Sequence, residues 1–420
     1  MTATDKKAPI LYNEIARHAN FGEVFMEKKI VNNYGSFDVV FVRGEGATLF
    51  DVSGKRYIDF IAGIGVNSLG HNFAPLVQAV QQQAAKQLHI SNYYFSDEGL
   101  AYADELLCAT GFDGAYFANS GAEANEAAIK LARKYGCMKS GEKRHVICTL
   151  EKSFHGRTLA TLSATGQAQF HPPHFAPYVE GFKTIKANDW SVLESAFDDT
   201  TAALLIECVQ GEGGVNLVDS EWAKTAAAAA RKAGALVMAD EVQTGMGRCG
   251  TLLASDALGF APDVVTLAKG IAGGIPMGAC LFRGNARGVF VAGDHQSTFA
   301  GNPLACSAAR IVLKTINERA FLESVNKKGE RIRQEIVSWH MPVVHDVRGR
   351  GLMCGVQLAE YSRGGKTLKP FDVESACLDA GLCVSIAGTD VIRFLPPLTI
   401  SDEEIAEGLA IFKRVLTAFA

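Results

Sequence analysis

Lys269 follows an apolar run, Pro262-Asp-Val-Val-Thr-Leu-Ala, and precedes Gly270, Gly273 and Gly274. An amine just past a buried strand is poorly solvated. Desolvation and a nearby cation lower its pKa and free the neutral form to make an imine with a carbonyl. A surface lysine is the ordinary alternative. A second apolar run, Ala235-Leu-Val-Met-Ala, ends in Asp240-Glu241. In doubly wound sheets ligands sit beyond the carboxyl ends of strands, so one of these acids should face a site and meet a cation there, such as a protonated ring nitrogen. A helix cap or loop residue would carry the same sequence.

Asn119-Ser120-Gly121-Ala122-Glu123 follows a strand and opens a helix. Ser120 and Glu123 have capping-box spacing, which an ordinary helix start would also show. The further reading is that Gly121 permits close approach and that free amides of Gly121 and Ala122 hold a phosphate at the positive end of the helix. Phe154 and Arg157 lie in Ser153-Phe-His-Gly-Arg-Thr158, again just after a strand. Phe154 could stack on a planar ring, and Arg157 could grip a carboxylate with two hydrogen bonds. A core aromatic beside a surface arginine reads equally well. Arg393 sits inside the apolar strand Val391-Ile-Arg-Phe-Leu and needs an anion, from the protein or from a substrate.

Together these residues are what a pyridoxal phosphate enzyme acting on a dicarboxylic amino acid requires: a phosphate cradle, an acid for a ring nitrogen, an imine lysine, a stacking aromatic and two carboxylate-binding arginines. Rival motifs fail. There is no GxSxG or GxxxxGK[ST], and Gly349 to Gly355 misses the GxGxxG spacing by one residue. A non-catalytic relative would be expected to lack Lys269 or Asp240, and both are present.

The elements that must position these residues alternate along the chain. Strands are predicted at Ala115–Ala118, His145–Thr149, Ala203–Glu207, Leu236–Ala239, Val264–Leu267 and Ala279–Phe282. Helices are predicted at Ser120–Tyr135, Trp222–Lys232 and Pro303–Asn317. Apolar strands interleaved with helices imply an α/β fold with a mostly parallel sheet covered on both faces. After about residue 305 the pattern becomes α+β: a helix over Leu322–Trp339, strands near Val343–Val347, Leu352–Leu358, Cys383–Ser385 and Val391–Phe394, and a helix from Asp402. Val39–Asp51 reads as a small hairpin. The expected division is an N-terminal segment 1–70 joined to a small domain, a large domain 71–304 and a small C-terminal domain 305–420.

The 420 residues are 48% hydrophobic and 20% charged, ordinary for a folded globular chain. A net charge of -4 without a basic cluster argues against nucleic acid. No apolar run reaches the ~20 residues of a membrane span. The first residues lack a secretory core and carry Asp5 and Glu14, so a cytoplasmic location is expected. The ten cysteines form no zinc spacing and no CxxC. Cys108, Cys148, Cys208, Cys280 and Cys306 sit among apolar or small residues and read as buried thiols; no metal site is expected.

The chain resembles the class III, ornithine-type aminotransferases from about Asn33 onward. The resemblance rests on GIGVNSLGH (Gly63–His71), NSGAEANEAAIKLARKYG (Asn119–Gly136), SFHGRTLATLSATGQ (Ser153–Gln167), QGEGGV (Gln210–Val215), ADEVQTGMGRCG (Ala239–Gly250), DVVTLAKG (Asp263–Gly270), STFAGNPLAC (Ser297–Cys306) and RFLPPL (Arg393–Leu398). It implies the fold-type I architecture of pyridoxal phosphate transferases: a large, mostly parallel-sheet domain with helices on both faces plus a smaller α+β domain.

The resemblance also implies site roles. Lys269 would hold pyridoxal 5'-phosphate as an imine and carry the proton, and Asp240 would pair with the ring nitrogen. Gln243 would meet the phenolic oxygen and Phe154 the ring face. Ser120, Gly121 and Ala122 would bind phosphate, joined by Thr298 of the partner subunit. Arg393 would hold the α-carboxylate of glutamate or 2-oxoglutarate, Arg157 the donor carboxylate, and Glu212 would gate Arg393. Glu207 would stand beside the cofactor, while Tyr34 and the Gly63–Gly65 loop would line the entrance. The implied reaction is a ping-pong transfer of a distal amino group to 2-oxoglutarate in a homodimer with shared active sites. N2-acetylornithine is the leading donor, with ornithine, succinylornithine and 4-aminobutyrate as alternatives. Cys208, where the family usually has proline, His295-Gln296, and an N-terminal extension of about thirty residues depart from the pattern.

Overall fold

Strands that are almost wholly apolar can be buried on both faces, and three of them form the centre of the sheet. Thr201–Glu207, Leu236–Asp240 and Val264–Leu267 are buried throughout. The computed structural model describes residues 31–420 apart from 32, 142, 364 and 365. The seven-stranded sheet runs in the order Gly114–Ala118, Gly278–Phe282, Val264–Leu267, Leu236–Asp240, Thr201–Glu207, Val146–Leu150, Phe182–Ile185.

Alternate residues of one strand serve opposite layers. Leu236 and Met238 join the core beneath the helix Gly121–Ser140. Val237 and Ala239 join the core that holds Trp222, Ala226 and Ala230 of the helix Ser220–Lys232. Each such large side chain contributes roughly 1.5–3 kcal/mol by leaving water. The doubly covered, mostly parallel sheet is the one expected. Gly278–Phe282 is antiparallel to both of its neighbours, a direction its composition does not encode. The edge strand Phe182–Ile185 was not anticipated, because it is short and carries Lys183 and Thr184.

Among the described residues, two four-stranded sheets flank the large one, besides two short two-stranded ribbons. Phe41–Glu45 and Thr48–Asp51 form the expected hairpin, turning at Gly46 with φ +54. They continue through Arg56–Asp59 to a parallel partner from the far end of the chain, Leu382–Cys383. The other sheet runs Val344–Arg350, Met353–Leu358, Val391–Phe394, Ser385–Ala387, all antiparallel. The single strand expected at Cys383–Ser385 is therefore two pieces that serve different sheets. The last helix, Asp402–Phe419, starts at a capping box made by Ser401 and Glu404. All ten cysteines are free; Cys148, Cys208, Cys280 and Cys306 are buried, whereas Cys108 is exposed.

Candidate active site

Three central strands deliver their carboxyl ends to one place. Asp240 stands beside Glu207 on one neighbouring strand and beside Thr266 on the other. Lys269 follows two residues after Leu267, in a left-handed backbone conformation with φ +45. For a non-glycine residue this conformation is uncommon and must be held by its surroundings. A cavity of about 450 Å³ opens there. Its lining includes Ser120, Gly121, Ala122, Asn125, Phe154, His155, Arg157, Glu207, Glu212, Asp240, Gln243 and Lys269.

Pleat alternation decides which of the two adjacent acids faces the cavity. Asp240 does. Glu241 points the other way, and its carboxylate accepts hydrogen bonds from the Ala254 and Ser255 amides at 2.7 Å each. Asp240 is rigidly held. Its Oδ2 accepts from Asn125 Nδ2 at 2.8 Å and lies 2.7 Å from His155 Nδ1, while Oδ1 accepts from the Val242 amide at 3.0 Å. Asn125 is itself fixed by the Thr266 hydroxyl, 2.7 Å from its Oδ1. Asn125 and His155 lie within the quoted motifs, yet the sequence assigned them no role. What each one touches depends on strand order.

Ser120 caps the helix Gly121–Ser140, accepting from the Glu123 amide at 3.2 Å. The Glu123 carboxylate reaches back one residue further than the capping-box pattern predicts, to the Asn119 amide at 2.6 Å. The first amides of a helix have no intrahelical acceptor, so this end presents donors to the cavity. A Cβ on Gly121 would come within 2.6 Å of Val242. Only glycine therefore allows the helix to start so close to the Asp240 turn.

Burial pulls the Lys269 pKa below its ordinary value; Arg393 acts in the same direction, while Glu212, Asp240 and Glu207 oppose it. Lys269 Nζ lies 3.9 Å from Glu212 Oε1. Burial, then the neighbouring Asp240 charge, pushes Glu207 well above the usual carboxylate range. Glu207 Oε1 accepts from the Phe154 amide at 2.7 Å, which ties the ring segment to the sheet.

Arg393 is 1% exposed and does not itself line the cavity. Its anion is Glu212: Nη1 donates to Glu212 Oε1 at 2.7 Å, to the Gly211 carbonyl at 3.0 Å and to Gln243 Oε1 at 3.1 Å. Gln243 Nε2 also donates to Glu212 Oε1 at 3.0 Å. Burial would raise the Glu212 pKa, but Arg393 and Lys269 outweigh it and bring it to about 2. A depressed carboxyl pKa means that the pair contributes fully above the ordinary carboxylate range and is lost only as pH falls toward about 2.

Arg157 is exposed at the cavity mouth, its guanidinium 4.4 Å from the Phe170 ring centre and 5.4 Å from that of Phe154. Phe170, edge-on to Phe154 at 5.4 Å, has no sequence signal because it ends a single 3-10 turn, Ala168–Phe170, too short to show a period. Two expected residues stand apart from the cavity in the single chain. Tyr34 is 88% exposed and absent from the lining, and Thr298 lines a separate surface cavity of about 620 Å³. The latter also includes Asn92, Tyr93 and Ser297. Near Gly63–Gly65, Val66 reaches the main cavity.

A strand-terminal lysine and aspartate under a helix N-terminus, in a seven-stranded mostly parallel sheet, mark a fold-type I transferase. The chain belongs to the class-III aminotransferases, whose sequence pattern matches residues 30–416. It is 42% identical to the acetylornithine aminotransferase of Caldanaerobacter subterraneus over 396 residues, 94% of this chain and 98% of that one. The acetylornithine aminotransferase of Gloeobacter violaceus is 43% identical over 392 residues, 93% of this chain and 96% of that one. Among solved structures, the ornithine aminotransferase of Toxoplasma gondii has a TM-score of 0.91 at 29% identity, covering 100% of this chain and 99% of that one. The N-acetylornithine aminotransferase of Stenotrophomonas maltophilia has a TM-score of 0.79 at 36% identity, covering 92% and 97%.

Proposed function

We propose that this chain transfers the distal amino group of N2-acetylornithine to 2-oxoglutarate, releasing the semialdehyde and glutamate by a ping-pong route. The chain is a pyridoxal-phosphate-dependent transaminase. The observation that carries the reading is the convergence of Lys269, Asp240 and Glu212 on one cavity, with Arg393 paired to Glu212 just behind its wall. The donor set suits the cofactor: helix amides for its phosphate, a fixed carboxylate for its ring nitrogen, an amine of lowered pKa for its aldehyde. When bound, pyridoxal phosphate supplies an aldehyde that takes up the amino group and a ring that draws electrons from the carbon losing its proton.

The protein groups would then divide the work. Lys269 would take and return the proton at that carbon. Asp240 would keep the ring nitrogen charged, and Glu207 supports the Phe154 segment, whose ring would cover the cofactor's face. Gln243 is placed for the phenolic oxygen. Ser120, Gly121 and Ala122 hold the phosphate. Arg157 at the mouth takes the donor carboxylate. While the donor is bound, Glu212 neutralises Arg393. When glutamate or 2-oxoglutarate enters, its α-carboxylate replaces Glu212 on Arg393.

The exposed Tyr93, Tyr94, Phe95 and Phe299, beside the cavity holding Thr298, support a homodimer in which Thr298 of the partner subunit completes the phosphate site. We place the domain boundaries at 1–70, 71–304 and 305–420, and the enzyme in the cytoplasm; no described helix is long and apolar enough to cross a membrane.

Donor choice is tested by single-turnover absorbance with acetylornithine, ornithine, succinylornithine and 4-aminobutyrate. Acetylornithine should react fastest; a clear lead for 4-aminobutyrate would sink the donor assignment. Arg393→Ala should slow the glutamate half-reaction about 100-fold and the donor half-reaction much less, since only glutamate needs that guanidinium. Equal losses in both half-reactions would undo the division of roles.

A further inference from the structure

The loop that carries Glu212 is held from both ends by one row of the small antiparallel sheet. Register places Arg348 opposite Gly355, Gly355 opposite Arg393, and Arg393 opposite Ser385. Residues directly opposite one another share a face of the sheet. On that face Arg393 grips the start of the loop through the Gly211 carbonyl and the Glu212 carboxylate. Arg348 grips its end: Nη2 donates to the Gly214 carbonyl at 2.7 Å, and Nε is 3.1 Å from Gly214 O and 3.2 Å from Val215 O. Between the two arginines, Val215 sits over Gly355, where a Cβ would come within 2.8 Å of the valine.

The loop needs such a grip. It joins the short paired strands Val209–Gln210 and Asn216–Leu217, and its fourth and fifth residues have φ +113 at Gly214 and +55 at Val215. A β-branched residue at positive φ is a strained conformation that persists only where its surroundings enforce it. The Gly388 amide also holds the Glu212 carbonyl at 2.8 Å. The guanidinium of Arg348 is in turn oriented by Asp346 at 2.7 Å and Gln357 at 2.8 Å, both reached from Nη1.

We propose that Arg348 is a positioning residue for the Glu212 gate: by clamping Gly214 and Val215 to the sheet, it presents Glu212 to Arg393 and sets how easily a substrate carboxylate displaces it. This rests on the reading of Glu212 as the group that yields to that carboxylate. With the far end of the loop fixed, the ion pair forms without ordering the loop first. Without the clamp, part of the closed state's advantage is spent on restoring the strained backbone. A competing carboxylate then meets less resistance.

The test uses the holoenzyme and glutarate, a dicarboxylate with no amine or carbonyl to react, measured by titration calorimetry. Arg348→Ala should bind glutarate about fivefold tighter than the wild type. Arg348→Lys, which keeps one donor, should shift it about twofold and serves if the alanine variant folds poorly. Glu212→Gln should tighten glutarate about tenfold or more. In the Glu212→Gln background, Arg348→Ala should add nothing, because the two changes act through one closed state. If Glu212→Gln tightens glutarate while neither Arg348 variant does, the positioning role fails and the gate stands. Persistence of the full Arg348 effect without the Glu212 charge would also overturn it. If Glu212→Gln leaves glutarate unchanged, the gate fails and the proposal falls with it.

Discussion

Lys269→Ala is expected to lower turnover by about 10⁵-fold or more, because in the proposed mechanism one side chain both anchors the cofactor and moves the proton. The loss should appear in kcat rather than in KM, since no substrate contact is removed. The variant should also lose the visible absorbance that comes with covalent attachment, and small primary amines should restore a little activity by entering the space left behind. Stability should move the other way. Lys269 is a buried amine whose pKa is lowered first by desolvation, so the folded apoprotein binds that proton less readily than the unfolded chain does. Stability of the apoprotein therefore rises with pH through the window just below the ordinary lysine value of 10.5. Alanine at this position should abolish that slope and leave the apoprotein no less stable near neutrality. A yellow, active Lys269→Ala protein would remove the basis of the whole mechanism.

Asp240→Asn should cost about 10³- to 10⁴-fold in kcat while leaving the fold in place. Its carboxylate receives hydrogen bonds from the Asn125 amide and the Val242 amide and lies against His155. An asparagine must turn a donor toward one of these donors, so it loses orientation as well as charge. In the proposed mechanism the ring nitrogen would then lack the anion that keeps it protonated. Stopped-flow spectra of each half-reaction should show proton removal slowed in both, unlike the one-sided effect expected for Arg393. Asp240→Glu keeps the charge and displaces it by one methylene; it should fall between the two. Wild-type rates in Asp240→Asn would show that ring protonation does not depend on this residue.

Much of this architecture could be read from local patterns. Leu236–Asp240 and Val264–Leu267 announced themselves as apolar runs, and the helix Gly121–Ser140 by its cap and glycine. What stayed unread fell where local pattern carries no directional or long-range information. Gly278–Phe282 looks like its parallel neighbours and runs the other way. Cys383–Ser385 looks like one strand, and its two halves are drawn to different sheets by Ile58 and Asp59 on one side and by Arg393 on the other. Cys108 has apolar neighbours in sequence but faces out from its helix, since neighbours one apart do not share a helix face.

By itself the sequence determined most of the central strands and the helix Gly121–Ser140 and put Lys269 and Asp240 at strand ends, because hydrophobic period and capping chemistry act over a few residues. Tertiary structure alone decided that Asp240 rather than Glu241 faces the cavity, that His155 and Asn125 brace it, and that Glu212 meets Arg393 across 181 residues of chain. It also aligned Arg348 with Arg393 in one row. Such pairings depend on strand order, register and the way two sheets pack, and each is settled by burial summed over the fold rather than by the residues that meet.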